Sequence, residues 1–177
     1  MRFSQAISEG DGISLIVEVA TADAARVAAT EGAEAVVVRR ALDGDINLPV
    51  LWRGSSRAAD AAAAGADAWV VPVDDDGDND HDLDRVVEVC NAEELEHALE
   101  RFDPEIFLFS VGEDEDADAM QRALDLLADL PAGKLAVAEV AVSSREQVDE
   151  LERAGVDAVI VGARNVAELV GDAPPPV

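Results

Sequence analysis

The stretch "AGVDAVIV", residues Ala154 to Val161, reads as the end of a helix followed by a complete buried strand. Gly155 can adopt the left-handed conformation that terminates a helix, and the apolar run from Ala158 to Val161 fits a strand covered on both faces. The same pattern occurs as "EGAEAVVV" from Glu31 and as "AGADAWVV" from Ala64. Each copy has a glycine, a small residue, an acid and then β-formers. "RFDPEIFLF" from Arg101 is a looser copy without the glycine. Helix stops that lead directly into buried strands, several times over, indicate parallel α/β architecture.

Working outward, strands are expected at about 13–19, 34–40, 48–52, 67–73, 85–90, 105–110, 134–140 and 157–161. Asn91 with Glu94 forms a capping box for a helix carrying Leu95, Ala98 and Leu99 on one face, and Ser143 with Glu146 opens another that Gly155 stops. Met120, Ala123, Leu124 and Leu127 mark a third helix, while 22–31 and 56–64 are alanine-rich. Only "ALDGDIN" separates the second and third strands, and only "DDDGDNDHDLD" the fourth and fifth. Parallel crossovers normally need about a dozen residues, so helices are expected to be reduced or missing there. The predicted fold is a shortened (βα)8 TIM barrel forming a single domain over 1–177 with a frayed tail at 170–177. An open doubly wound sheet is the alternative.

Composition restricts the partners. Acidic residues number 39 against 13 basic ones, the net charge is -26, and Lys134 is the single lysine, so no basic stripe exists to neutralise nucleic acid or an anionic membrane. Such self-repulsion is tolerable where salt screens it, which fits a high-salt cytoplasm. No leader-like or membrane-length apolar run is present, and one cysteine, Cys90, cannot form an internal bridge. Cytoplasmic localisation is the expectation. Helix-free barrel flanks left in water would make a homodimer plausible.

Three glutamates interrupt apolar strands: Glu18 in "SLIVEVA", Glu88 in "RVVEVC" and Glu139 in "LAVAEVAV". An ionised carboxylate without a partner in an apolar core costs several kcal/mol. In an eight-stranded barrel all three lie late in their strands, at the first, fifth and seventh positions, and should point into one mouth. They either share a pocket there or are neutralised by Arg39, Arg40 and Arg53.

The segments "IVEVA" at 16–20, "LPVLWRGS" at 48–55, "AGADAWVV" at 64–71, "VVEVCNAEELEHAL" at 86–99 and "LAVAEVAVSSREQVDELERAGVDAVIVG" at 135–162 resemble indole-3-glycerol phosphate synthase, a (βα)8-barrel lyase. The resemblance implies catalytic positions at Glu18, Arg53, Glu88 and Glu139, with Glu88 as acid/base. It also implies ligand positions at Ser110 and Gly162. Arg164 either supplies charge to a bound anion or sits on the surface of the last helix, and Trp52, next to Arg53, could stack an aromatic ligand. Several family residues are replaced. A lysine expected two residues after Glu18 is Ala20, the general-acid lysine falls on Arg53, and Val140, Ala141 and Ala163 stand where the family has serine or glycine. The family's N-terminal helical extension is expected to be absent, since about a dozen residues precede the first strand. Loss of a general acid lowers rates about 10²- to 10⁴-fold, so the implied function is a weak, altered or lost lyase reaction on a phosphorylated small molecule. The alternatives are a non-catalytic ligand- or partner-binding barrel, and a divalent-cation site formed by Glu18, Glu88 and Glu139. No cofactor is implied.

Other features give weaker readings. Asp74, Asp76, Asp78 and Asp80 alternate around Gly77 but lack the terminal glutamate of a calcium loop, so a solvated linker is expected. His81, His97 and Cys90 have no zinc spacing, Cys90 is expected to be a buried inert thiol, and Trp69 a packing residue.

Overall fold

The helix-stop and strand repeats close on themselves. In a computed structural model, which describes residues 2–75, 81–111, 117–164 and 166–170, eight parallel strands form a closed barrel in sequence order. The strands are β1 (Ser14–Glu18), β2 (Ala35–Val38), β3 (Val50–Trp52), β4 (Ala68–Pro72), β5 (Asp84–Val89), β6 (Ile106–Ser110), β7 (Leu135–Glu139) and β8 (Ala158–Gly162). The helices are α1 (Phe3–Ser8), α2 (Ala22–Thr30), α3 (Ala58–Ala63), α4 (Ala92–Arg101), α5 (Ala117–Asp129), α6 (Arg145–Ala154) and α7 (Val166–Leu169). Closure runs through β1 and β8, from Ser14 opposite Ala158 to Glu18 opposite Gly162, and excludes the open-sheet alternative.

The acid of the repeat has a structural use. Asp157, just before β8, accepts a hydrogen bond from the Ala136 amide on β7 at 2.8 Å and returns one from its own amide to the Ala136 carbonyl at 3.0 Å. Asp67, before β4, does the same with Val50 of β3, accepting at 2.9 Å and donating at 2.9 Å. Glu34, before β2, accepts from the Ser14 hydroxyl of β1. Each acid thereby fastens the start of its own strand to the start of the one before. In the copy without glycine, Asp103 takes the left-handed position with φ 44°, and the single lysine, Lys134, holds it by its carbonyl at 3.2 Å and its carboxylate at 2.6 Å.

The barrel interior is sealed at its N-terminal end by an element that the sequence reading did not anticipate. Ala35, Ala68 and Ala158 begin their strands and leave room, and α1 fills it with Phe3 and Ile7, both buried against Ile16, Leu51, Ile106 and Leu108. The Ser4 amide donates to the Asp84 carboxylate at 2.7 Å and fixes α1 to β5. The residues before β1 thus form a helix, at the end of the barrel away from the mouth.

The segment from Arg39 to Pro49 contains no helix, as expected, and neither do the described residues between β4 and β5. Leu42, Ile46 and Leu48 pack over the outer layer beside β2 and β3. Over β4 and β5, the Arg85 guanidinium lies between the rings of Trp69 and Phe102, at 5.6 and 5.2 Å from their centroids. These contacts pack against both flanks, and among the described residues Val27 is the one exposed large apolar side chain. The cap of α6 lies one residue later than the sequence suggests: Ser144 accepts from the Gln147 amide at 3.4 Å, while the Gln147 side chain reaches back to the Ser143 amide at 2.8 Å. Residues 76–80, with most of the alternating aspartates, and the tail from 171 lie outside the described residues.

Phe3→Ala should cost about 3–5 kcal/mol in chemical denaturation, since neighbouring strands cannot collapse into the space it leaves. Burial raises the pKa of Asp157 against the opposing effect of its backbone donors. The folded chain therefore binds more protons than the unfolded one between the ordinary aspartate pKa and the raised one, and this contribution to stability falls as pH rises through that window. Asp157→Asn lacks the ionisation, so melting curves should show the variant gaining on the parent as pH rises across the window.

Candidate functional site

The inward positions of the odd-numbered strands form one layer at the C-terminal mouth. Glu18 ends β1, Arg53 follows β3, Glu88 lies one residue from the end of β5, and Glu139 ends β7. Strand alternation aims all four at the axis. Arg53 sits between two carboxylates, with one terminal nitrogen 2.6 Å from Glu88 Oε1 and the other 2.5 Å from Glu139 Oε2. The Ser110 hydroxyl, at the end of β6, is 3.4 Å from the same Glu139 oxygen. The side chains of Arg53 and Glu139 are only 15% and 14% exposed, so water screens this pair weakly.

Glu18 belongs to a second, wetter pair. Arg39, directly after β2, donates from Nε to Glu18 Oε1 at 2.6 Å. Arg40 does not take part in neutralising the glutamates and donates instead to the Ala20 carbonyl at 3.3 Å.

Electrostatics fix the charge of both paired arginines. Burial lowers the pKa of Arg53, but the hydrogen bond and charge of Glu139, followed by the charge and hydrogen bond of Glu88, outweigh it and raise the pKa above the ordinary guanidinium value. The pKa of Arg39 is also raised, chiefly by the hydrogen bond to Glu18 working against burial. A guanidinium in this state orients carboxylates and attracts anions. It cannot serve as a proton donor near neutral pH.

Two clefts open at the mouth on either side of Glu18. One, of about 160 Å³, is lined by Glu18, Glu139, Val140, Ala141, Ile160, Val161 and Gly162. The other, of about 250 Å³, is lined by Glu18, Val19, Ala20, Arg39 and Arg40. The first is lined by two carboxylates and no cation, while the second is lined by one carboxylate, Glu18, and two guanidinium groups.

The structure brings Glu18, Glu88, Glu139, Arg53, Ser110 and Gly162 together and leaves two expected residues apart. Trp52 faces outward, buried in the layer between strands and helices with its indole nitrogen 3.1 Å from the Ser55 carbonyl, so it does not line the mouth. Arg164 is exposed on the turn between β8 and α7 and has no hydrogen bond or ion pair among the described residues. Cys90 is exposed rather than buried, because it lies past β5 at the Asn91 cap; the partial desolvation that remains and the charges of Glu94 and Glu88 push its pKa up. The cation reading of the three glutamates is replaced by one with guanidinium partners, and no cluster of metal-ligating side chains is gathered among the described residues. Arg39 and Arg40 were expected only as neutralising partners for the glutamates, and their lining of the second cleft was not anticipated. The available signal was their position directly after the apolar run of β2.

Removing Arg53 leaves two carboxylates facing each other with little water between them. Arg53→Met should lower stability by about 1–3 kcal/mol in urea denaturation, below the cost of breaking a fully buried pair because Glu88 is partly solvated.

No protein-family model matches the sequence. The chain is similar to indole-3-glycerol phosphate synthase of Variovorax paradoxus (strain S110), 42% identical over 77 residues that make up 44% of this chain and 29% of the relative. The matched stretch therefore spans less than a third of that enzyme, and with the closed eight-stranded parallel barrel it supports a relationship between the two.

Proposed function

We propose that this chain is a reduced relative of indole-3-glycerol phosphate synthase whose mouth binds a phosphorylated small molecule, and in which the ring-closing lyase reaction is lost or much weakened. The observation that carries this reading is the double restraint on Arg53. The resemblance assigns the general acid to this position, and here it is a permanently charged guanidinium bonded to both Glu88 and Glu139. A proton donor would have to leave one of these carboxylates and also carry a proton it could release. Ala20, in place of the second family lysine, adds to the loss.

The size of the clefts supports the same reading. Ligand pockets typically enclose about 300–1,000 Å³. The two clefts, at about 160 and 250 Å³, each suit part of a substrate rather than the whole of it. Glu88 and Glu139 keep the positions of acid/base and positioning groups, but their oxygens are engaged by Arg53. The relationship also favours a cytoplasmic protein, and no helix among the described residues is long and apolar enough to cross a membrane.

The test is a ring-closure assay with carboxyphenylamino deoxyribulose phosphate, read by indole fluorescence in molar potassium chloride because of the net charge of -26. The parent should turn over at least about 10²-fold more slowly than an enzyme with an intact general acid, while the substrate still raises its melting temperature. Replacing Arg53 and Ala20 together by lysine should raise turnover, and adding Glu88→Gln should abolish the gain. Rapid turnover by the parent, unchanged by Arg53→Met, would show that the guanidinium is no obstacle and would overturn the proposal.

A further inference from the structure

The mouth has its charge in an unexpected place. On the β7–β8 side, the cleft presents the Glu18 and Glu139 carboxylates among Val140, Ala141, Ile160 and Val161, and a bound phosphate there would face like charge. The guanidinium groups nearest that cleft, Arg53 and Arg39, are already paired with its carboxylates and are not among its lining residues, and Arg164 lies on an exposed turn outside it. On the β1–β2 side, the larger cleft has consecutive guanidinium groups, Arg39 and Arg40, beside the apolar Val19 and Ala20, and its one carboxylate, Glu18, is paired with Arg39. In a chain with only 13 basic residues against 39 acidic ones, two side by side at one cleft are a concentrated positive feature.

These two arginines also have donors to spare. Arg39 uses Nε for Glu18, and its terminal nitrogens have no hydrogen bond among the described residues. Arg40 has a single long bond to the Ala20 carbonyl and no carboxylate partner among the described residues. A guanidinium presents up to five donors in a planar fork that matches the oxygens of a phosphate, and Glu18 holds the Arg39 fork in place.

We propose that the cleft between the ends of β1 and β2 is a phosphate subsite, in which Arg39 and Arg40 bind the phosphate of a small phosphomonoester. The proposal rests on the reading of the mouth as a ligand site and moves the phosphate end of the ligand away from the β7–β8 side. The rest of the ligand then extends over Glu18 toward the axis, where Glu18 and Glu139 accept hydrogen bonds from its hydroxyl or amino groups.

The probe is phenyl phosphate, titrated by calorimetry and by phosphorus NMR line broadening, with phenol as the control that lacks phosphate. The parent should bind phenyl phosphate and not phenol. Arg40→Gln, which leaves the Glu18–Arg39 pair intact, should weaken binding about tenfold or more, and the double variant with Arg39→Gln should weaken it further. Arg40→Lys should recover part of the loss, while Arg164→Gln should leave the affinity unchanged, with melting curves confirming that each variant is folded. Weakening by Arg164→Gln with no effect of Arg40→Gln would overturn the subsite and leave the proposed ligand site standing on the β7–β8 side. Absence of binding by the parent would also overturn the subsite, and the melting-temperature response to the lyase substrate would then decide separately whether the mouth binds a ligand at all.

Discussion

A closed barrel of parallel strands has no free edge and buries both faces of every strand, so charge can enter its interior only at the ends and only with a partner. The rest of this structure follows from that restriction. At the mouth, Glu88 and Glu139 share Arg53, and Glu18 takes Arg39. Each carboxylate of the layer is matched to a guanidinium that is short enough in reach and fixed enough in charge to stay there. At the other end, Asp84 is nearly buried and accepts from the backbone of α1, while Phe3 and Ile7 exclude water from the strand starts.

The same restriction explains how a barrel can be built with so few helices. Outer strand faces must be covered, but the cover need not be helical. The loop residues Leu42, Ile46 and Leu48 cover one flank, and a cation stacked between two aromatic rings covers the other. The repeated acids at the strand starts supply directional bonds between neighbouring strands, since Asp67 and Asp157 each bond both backbone groups of one residue on the preceding strand. These features use short stretches of chain, and they let a barrel close with connections of minimal length.

Function is constrained by the same pairings. A residue that neutralises two carboxylates in a weakly screened layer is held in its charged form, and its guanidinium is poorly suited to moving protons. Charge that is settled within the layer leaves recognition to groups around it. The arginines after β2 stand just outside the layer and are exposed.

The sequence by itself determined the strand count, the parallel order and the grouping of Glu18, Glu88 and Glu139, because strand alternation and helix stops are local and leave a direct trace in residue order. It also offered Arg39, Arg40 and Arg53 as candidate partners, of which Arg39 and Arg53 pair with the glutamates and Arg40 does not. Only the tertiary structure decided which arginine served which glutamate, since that depends on barrel register and on side chains far apart in sequence, such as Arg53 and Glu139. It turned Trp52 outward, because the residue beside an inward-pointing Arg53 must face the helix layer. The role of α1 was also hidden: a six-residue helix has little signature of its own and becomes definite only when three alanines around the barrel leave a space that Phe3 and Ile7 fill.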